Sequence, residues 1–452
     1  MGRYFGTDGI RGRANEKFDA NNGGLDANRA FQVGRYLGYY YSKEGRRRIL
    51  IGKDTRLSSG MLENALAAGI SAEGCDAYLA GFCPTPMIAY LTRNEDFAAG
   101  AMISASHNPF YDNGIKIFSK EGIKLSADIE GLIEDYIDGK TEIPYKTAEQ
   151  IGRVVAYPEG IEHYLGWLKK EFPLDLTGVR LALDCANGSS SFTAQRMLAG
   201  LGAQCHMQSN EPDGININTH CGSTHPEALQ ETVRNGKYDL GLAFDGDADR
   251  LIAVAPDGQL VDGDYVLYIS GKYLRDCGEL NGGSIVTTVM ANLGLFKAME
   301  REGIKVESTQ VGDKYVYERM CEKDFVVGGE QSGHIIFKKH LTTGDGLLTA
   351  LELLSIMQKT GKGVMELREG LRIYPQLLIN VKVSDKKKAM EDAEVLAAEE
   401  QVNKDLNGNG RILVRASGTE PLVRVMAEAE TDAICAEEVG KVVEIVKRKY
   451  GI

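Results

Sequence analysis

The chain has 452 residues, too many for one core, so it should divide into about three or four domains. Hydrophobic residues make up 43% and charged residues 26%, an ordinary globular composition, and the formal net charge of −12 argues against a nucleic-acid binder or a polybasic membrane binder. The eight cysteines include no C-x-x-C pair and read as reduced thiols of a cytosolic protein.

The start, MGRYFGTDGIRG, has no apolar stretch of the kind a signal peptide needs, and no later run reaches the roughly 18–20 apolar residues of a membrane span. The chain then alternates short β-rich runs with helical stretches. ILIG (49–52) reads as a strand and GMLENALAAGISAEG (60–74) as a helix closed by glycine. CDAYLAG is a strand, TPMIAYLTRNE a helix with Pro86 near its start, and the apolar run 98–103 a buried strand that leads into SASHNP.

The rhythm recurs twice. VRLALDC, the helix FTAQRMLAGLG, the strand HMQSN, the helix PEALQETVRNG and the strand YDLGLAF lead to DGDADR. SIVTTVM, the helix LGLFKAMEREG, the strand IKVES, a helix around KYVYERMCEK and the strand DFVVGG lead to EQSGH. Three α/β units thus each place a polar cluster after an apolar strand, where open α/β sheets bind ligands. The tail differs: strand QLLINVKV, a charged helix over 386–402, a turn NGNG, strands RILVRAS and LVRVMAEAE, and an amphipathic helix over 431–451 make a small α+β domain. The expected domains are 1–150, 151–255, 256–372 and 373–452.

The clusters carry the chemistry. In DGDADR, Asp245, Asp247 and Asp249 alternate with small residues between apolar strands. Three carboxylates this close repel each other, and a divalent cation with oxygen ligands, Mg²⁺ in particular, would hold them together. An EF-hand is excluded, because Arg250 and Pro256 stand where its glycine and glutamate belong. The plainer alternative is a solvated acidic turn. In EQSGH, Glu330, Ser332 and His334 alternate, so in an extended loop all three face one way and suit sugar hydroxyls; a polar turn is the alternative. In RASGTEPLVR, Arg415, Ser417, Gly418, Thr419 and Arg424 would make a nest for a phosphate dianion, or simply a hairpin turn with surface arginines. Arg11 lies in the glycine-rich GTDGIRG, which could admit a ligand or be only a loose terminus. No Walker A or G-x-S-x-G pattern is present.

ISASHNPFYDNGIK (103–116) is a capped turn or a reactive loop. Neighbouring Ser106 and His107 on an extended chain would point apart, so they are not read as a triad-type dyad. A serine beside a metal site can instead carry a phosphoryl group, with Lys116 to balance its charge or move a proton.

With GTDGIRG, ISASHNPFYDNGIK, FDGDADR, GEQSGHIIF, TTGDGLLTAL and RASGTEPLVRV in this order, the chain resembles the α-D-phosphohexomutase superfamily; Gln331 and the GTDGIRG start favour its glucosamine branch. The resemblance implies a four-domain α/β architecture, with three related α/β domains plus a smaller C-terminal α+β domain around a central cleft. It implies that Ser106 is the phosphoserine and that Ser106, Asp245, Asp247 and Asp249 hold Mg²⁺. Glu330 and Ser332 would bind sugar hydroxyls, with His334 close by. Arg415, Ser417, Gly418, Thr419 and Arg424 would hold the non-reacting phosphate. Ser106, Arg11, Lys116, His107 and Arg250 would line the reaction site, with Lys116 the expected proton carrier. Ala248 stands where many relatives have Gly, which should exclude a left-handed backbone there.

The implied reaction interconverts glucosamine 6-phosphate and glucosamine 1-phosphate through a 1,6-bisphosphate, which also serves as activator. Glucose or mannose phosphates, or sugar-phosphate binding without turnover, are the alternatives. The expected partner is a small sugar phosphate, with no nucleic acid and no membrane, in the cytoplasm. Dimerisation is common in the family, and no residue here marks an interface. The C-terminal domain should close over the intermediate, hinged near GLRIYPQL (370–377).

Overall fold

The computed structural model describes residues 2–6, 8–18, 23–44, 47–417 and 421–452. The chain forms two compact units: one built from 1–290 and 304–369, the other from 291–303 and 370–452. Among the described residues it is a mixed α/β protein of four sheets, and the last part is the smallest.

The first unit holds three sheets. In the first, parallel strands Arg48–Lys53, Asp76–Phe82, Ala99–Ile103 and Val154–Ala156 continue into antiparallel strands Asp112–Ser119 and Gly9–Arg13 and the short Phe5–Gly6. The second orders Leu260–Val261, Leu251–Val254, Leu240–Phe244, Arg180–Asp184 and Gln204–Gln208. The third orders Lys305–Thr309, Ser284–Thr288, Val327–Gly329 and Ile335–Phe337.

These sheets share one device. In each, a buried parallel strand is followed at once by an antiparallel return strand. Ile103 pairs with Ile115, Phe244 with Leu251 and Gly329 with Ile335. The loops between the paired strands are SASHNP, DGDADR and EQSGH. Apolar side chains on both faces bury the strands, so the polar residues gather where the direction reverses, most of them themselves buried there. The return strand Asp112–Ser119 is the element the sequence rhythm did not mark; it pairs Lys116 with Met102 and so carries the lysine back beside the serine loop.

Helices Ala27–Tyr41 and Ser59–Ala72 pack tightly against each other beneath the first sheet's core. A Cβ on Gly34 would lie 2.2 Å from Leu66 O, and one on Gly69 2.2 Å from Phe31 O, so only glycine permits this approach. Beside that contact the buried Arg35 donates to Glu73 at 2.8 and 2.5 Å.

In the second unit, strand Leu422–Ala429 lies between Gln376–Lys382 and Gly410–Ala416, antiparallel to both. The single helix expected over 386–402 is two, Lys386–Glu391 and Ala393–Leu406. Asp392 breaks it: its backbone is extended, and its carboxylate caps the second helix by accepting from the N–H groups of Glu394 and Val395. All eight cysteines are free, and no described helix is long and apolar enough to cross a membrane.

Replacing Gly69 by Ala should force the two helices apart and lower stability by about 1–3 kcal/mol, read by urea unfolding. Truncating the buried Glu73 to Ala should cost about 3–5 kcal/mol, because it strands the Arg35 charge.

Candidate active site

Two of these loops meet at Ser106, and the third joins them through His334 beside Asp249. Ser106 Oγ donates to Asp245 Oδ2 at 2.7 Å and lies 3.3 Å from His107 Nδ1. The extended conformation expected for this dipeptide is wrong. Ser106 has φ +54°, a left-handed turn that brings the two side chains together. Ser104 Oγ accepts the Ser106 N–H at 2.8 Å.

Asp245, Asp247 and Asp249 are buried, and one oxygen from each lies within 4.8 Å of the others. Ala248 between them has φ +57°, against the expectation that alanine would keep this backbone out of the left-handed region; its N–H to Asp245 O bond (3.0 Å) closes the turn. Lys116 Nζ lies 2.6 Å from Asp247 Oδ2 and 3.1 Å from Asp249 Oδ2. Burial opposes the Lys116 charge, but these two carboxylates outweigh it and hold the ammonium above its ordinary range. Burial, with Asp249 and Asp247 as like charges, pushes Asp245 well above the usual carboxylate range. Burial acts the same way on Asp249, yet Lys116 and His334 prevail and hold it low.

The donor set fits a hard divalent cation. Asp247 Oδ1 and Asp249 Oδ1 are buried without a hydrogen bond, and all the groups offered are oxygens.

Around this centre, Arg11 sits on the strand Gly9–Arg13 with its guanidinium 3.4 Å from Asp8. Arg250 Nε is 3.8 Å from Asp249. Burial, then the charges of Arg250 and Arg11, drop His107 to about 4, so its ring is neutral at neutral pH. His334 Nδ1 is 3.6 Å from Asp249, and its Nε2 lies 3.5 Å from Asp313 and 2.9 Å from Gly344 N. Burial opposes its charge, but Asp249, Asp313 and Glu330 raise it to about 9. From Asp313 the chain of charges runs to Lys124 at 2.6 Å and on to Asp8 at 2.5 Å, tying the three sheets' loops together.

The 330–334 loop is not extended. Glu330 N–H donates to His334 O, and Gly333 N–H to Glu330 O, both at 3.0 Å, so 330–334 is a tight turn. Period-two alternation therefore fails: Ser332 is exposed at the tip while His334 is buried. Glu330 accepts Gly312 N–H at 3.1 Å, and burial raises it above the ordinary carboxylate value. Gln331 donates to Asp262 at 3.3 Å.

In the second unit Arg415 and Arg424 are directly opposite each other on neighbouring strands. Burial and then the Arg424 charge lower Arg415. Two cations placed face to face repel, and an anion would relieve them. Ser417 is buried, its N–H on Leu422 O at 2.9 Å. Gly418 and Thr419 lie outside the described residues.

Several site residues escaped the sequence reading. Thr85 Oγ1 donates to Asp247 Oδ2 at 2.5 Å. Arg56 and Asn218 both donate to Ser106 O, at 2.7 and 2.9 Å. Thr85 and Arg56 follow the strands Asp76–Phe82 and Arg48–Lys53, the same strand-end position that marked the other clusters.

Models of the phosphoglucomutase/phosphomannomutase domains match in order: α/β/α domain I over 2–144, domain II over 162–258, domain III over 262–374 and the C-terminal domain over 378–445. The chain belongs to the phosphoglucomutase/phosphomannomutase family, the phosphohexomutases, which are intramolecular phosphotransferases. Within it the chain is similar to curated phosphoglucosamine mutases: 50% identical to that of Lachnospira eligens over 99% of each chain, and 49% to that of Bacillus subtilis over 100% of each. A solved phosphoglucomutase/phosphomannomutase family protein from Burkholderia thailandensis has TM-score 0.81 and 25% identity, covering 100% of both chains.

Valine at Thr85 keeps the shape but removes the bond to Asp247. It should weaken Mg²⁺ or Mn²⁺ binding by about 10–100-fold in calorimetric titration, with little change in melting temperature.

Proposed function

We propose that the chain interconverts glucosamine 6-phosphate and glucosamine 1-phosphate, with Ser106 carrying the phosphoryl group and a 1,6-bisphosphate as intermediate and activator. The observation that carries this reading is the Ser106 hydroxyl, 2.7 Å from Asp245 within a buried carboxylate triad. The full-length phosphoglucosamine mutase relatives give it its substrate.

Phospho-Ser106 gives its phosphoryl group to the free sugar hydroxyl. The bisphosphate then turns end for end, and its other phosphate returns to Ser106. Asp245, Asp247 and Asp249 with the Ser106 phosphate would hold Mg²⁺, which when bound supplies positive charge that draws electrons from the phosphoryl oxygens. Lys116, 2.6 Å from Asp247 and 3.1 Å from Asp249, balances charge beside the reacting phosphate and remains the expected proton carrier. Asp245 at 2.7 Å and neutral His107 at 3.3 Å both reach Oγ, and either can hand it the proton that the attacking sugar hydroxyl gives up through Lys116. Arg11 and Arg250 add positive charge for the reacting phosphate. Glu330 and Ser332 receive sugar hydroxyls. Arg415, Ser417, Gly418, Thr419 and Arg424 grip the phosphate that is not reacting, and it relieves the repulsion between the two arginines. The product would enter amino-sugar nucleotide and cell-wall precursor synthesis in the cytoplasm.

Ser106→Ala should abolish turnover and remove an adduct of about 80 Da from the intact mass of active protein. Full activity in that variant would overturn the assignment. In a coupled assay of three hexose 6-phosphates, glucosamine 6-phosphate should give the highest kcat/KM, and a preference for glucose or mannose 6-phosphate would replace the substrate.

A further inference from the structure

Ser106 holds a left-handed backbone that non-glycine residues seldom adopt, and the chain supplies it with an unusual set of restraints. Its carbonyl oxygen accepts from two side chains that come from different parts of the first unit. Arg56 donates at 2.7 Å from the loop after Arg48–Lys53, and Asn218 donates at 2.9 Å from the second α/β segment. Both donors are themselves fixed. The buried Arg56 guanidinium is bound to Asp54 at 2.8 Å and donates to Pro109 O at 2.5 Å. Asp54 in turn accepts from Ser59 Oγ at 2.8 Å. Asn218 also donates to Asn108 O at 3.1 Å. Arg56 and Asn218 thus each hold two carbonyls of the 106–109 turn, one at its start and one further along.

We propose that Arg56 and Asn218 are positioning residues for phosphoryl transfer: together they lock the Ser106 peptide so that Oγ stays aimed at the carboxylate triad throughout the reaction. The idea rests on Ser106 being the phosphate carrier. The charge of Arg56 is balanced by Asp54, so its role is geometric rather than a contribution to the field on the phosphate. A serine that alternately loses and regains a phosphoryl group must present its oxygen on the same line in both half-reactions. A carbonyl held by two donors from separate segments fixes that line better than the turn's own backbone bonds, which consist of Asn108 N–H to Ala105 O at 3.1 Å and Asp112 N–H to Pro109 O at 3.1 Å. Misplacing a reacting atom by about 1 Å can cost on the order of 100-fold in rate.

The decisive variant is Asn218→Asp. Asn218 itself has φ +58°, and aspartate keeps its size and its tolerance of that conformation while replacing the donor by a carboxylate that repels both carbonyls. The full-length enzyme carrying it should still load the adduct of about 80 Da from the bisphosphate. Its kcat should fall about 10–100-fold, with KM and Mg²⁺ affinity within about twofold of the parent. Arg56→Lys, which keeps the charge but cannot reach both carbonyls, should show the same split. Its melting temperature is measured alongside to separate misfolding from misplacement. An unchanged kcat in a folded Asn218→Asp enzyme, or a loss expressed wholly in KM, overturns the proposal. Absence of the adduct from the unaltered, active enzyme would instead overturn the phosphoserine reading on which it stands.

Discussion

Three aspartates buried within 4.8 Å of one another are the constraint on which the rest of the first unit turns. Like charges in a low-dielectric interior cannot all remain ionised without countercharge. Lys116 supplies part of it by pairing with Asp247 and Asp249, while Asp245 is pushed toward its neutral form and takes the Ser106 hydroxyl proton as its hydrogen-bond partner. Two carboxylate oxygens still lack any hydrogen bond. A divalent cation would answer that deficit, and the three carboxylates could hold one. The chemistry of transfer thus follows from an electrostatic problem that the fold creates.

The fold creates it with one repeated device. Each of three sheets sends a buried strand to its end, reverses it, and leaves a polar loop at the reversal. The loops need not be related in sequence, because one carries Ser106, the next the buried carboxylate triad and the third Glu330 and His334. They act as one site because charge chains cross between them, from Asp249 through His334 and Asp313 to Lys124 and Asp8. Each member touches two others, so the charges of the three loops are coupled through shared partners.

Much of this was legible in the sequence. The apolar runs before Ser104, Asp245 and Glu330 marked strand ends, and the triad's spacing pointed to a cation. What could not be read was the backbone between those landmarks. Alternation implies facing side chains only in an extended chain, and the Glu330–His334 segment is a turn. The same assumption separated Ser106 from His107, which a left-handed residue brings to 3.3 Å. Ala248 adopts the left-handed region despite its side chain, because the closely turned loop and its buried carboxylates fix the backbone there. Thr85, Arg56 and Asn218 act across separations of 162, 50 and 112 residues, a pairing no local pattern encodes.

A mutase built this way must pass one phosphoryl group between Ser106 and the sugar without losing it to water. A single-turnover experiment reads that transfer directly. Enzyme carrying ³²P on Ser106 is mixed with unlabelled glucosamine 6-phosphate and quenched at intervals. The label should leave the protein and be recovered in sugar phosphate. Label recovered mainly as inorganic phosphate, or label that stays on the protein while product forms, would contradict the mechanism.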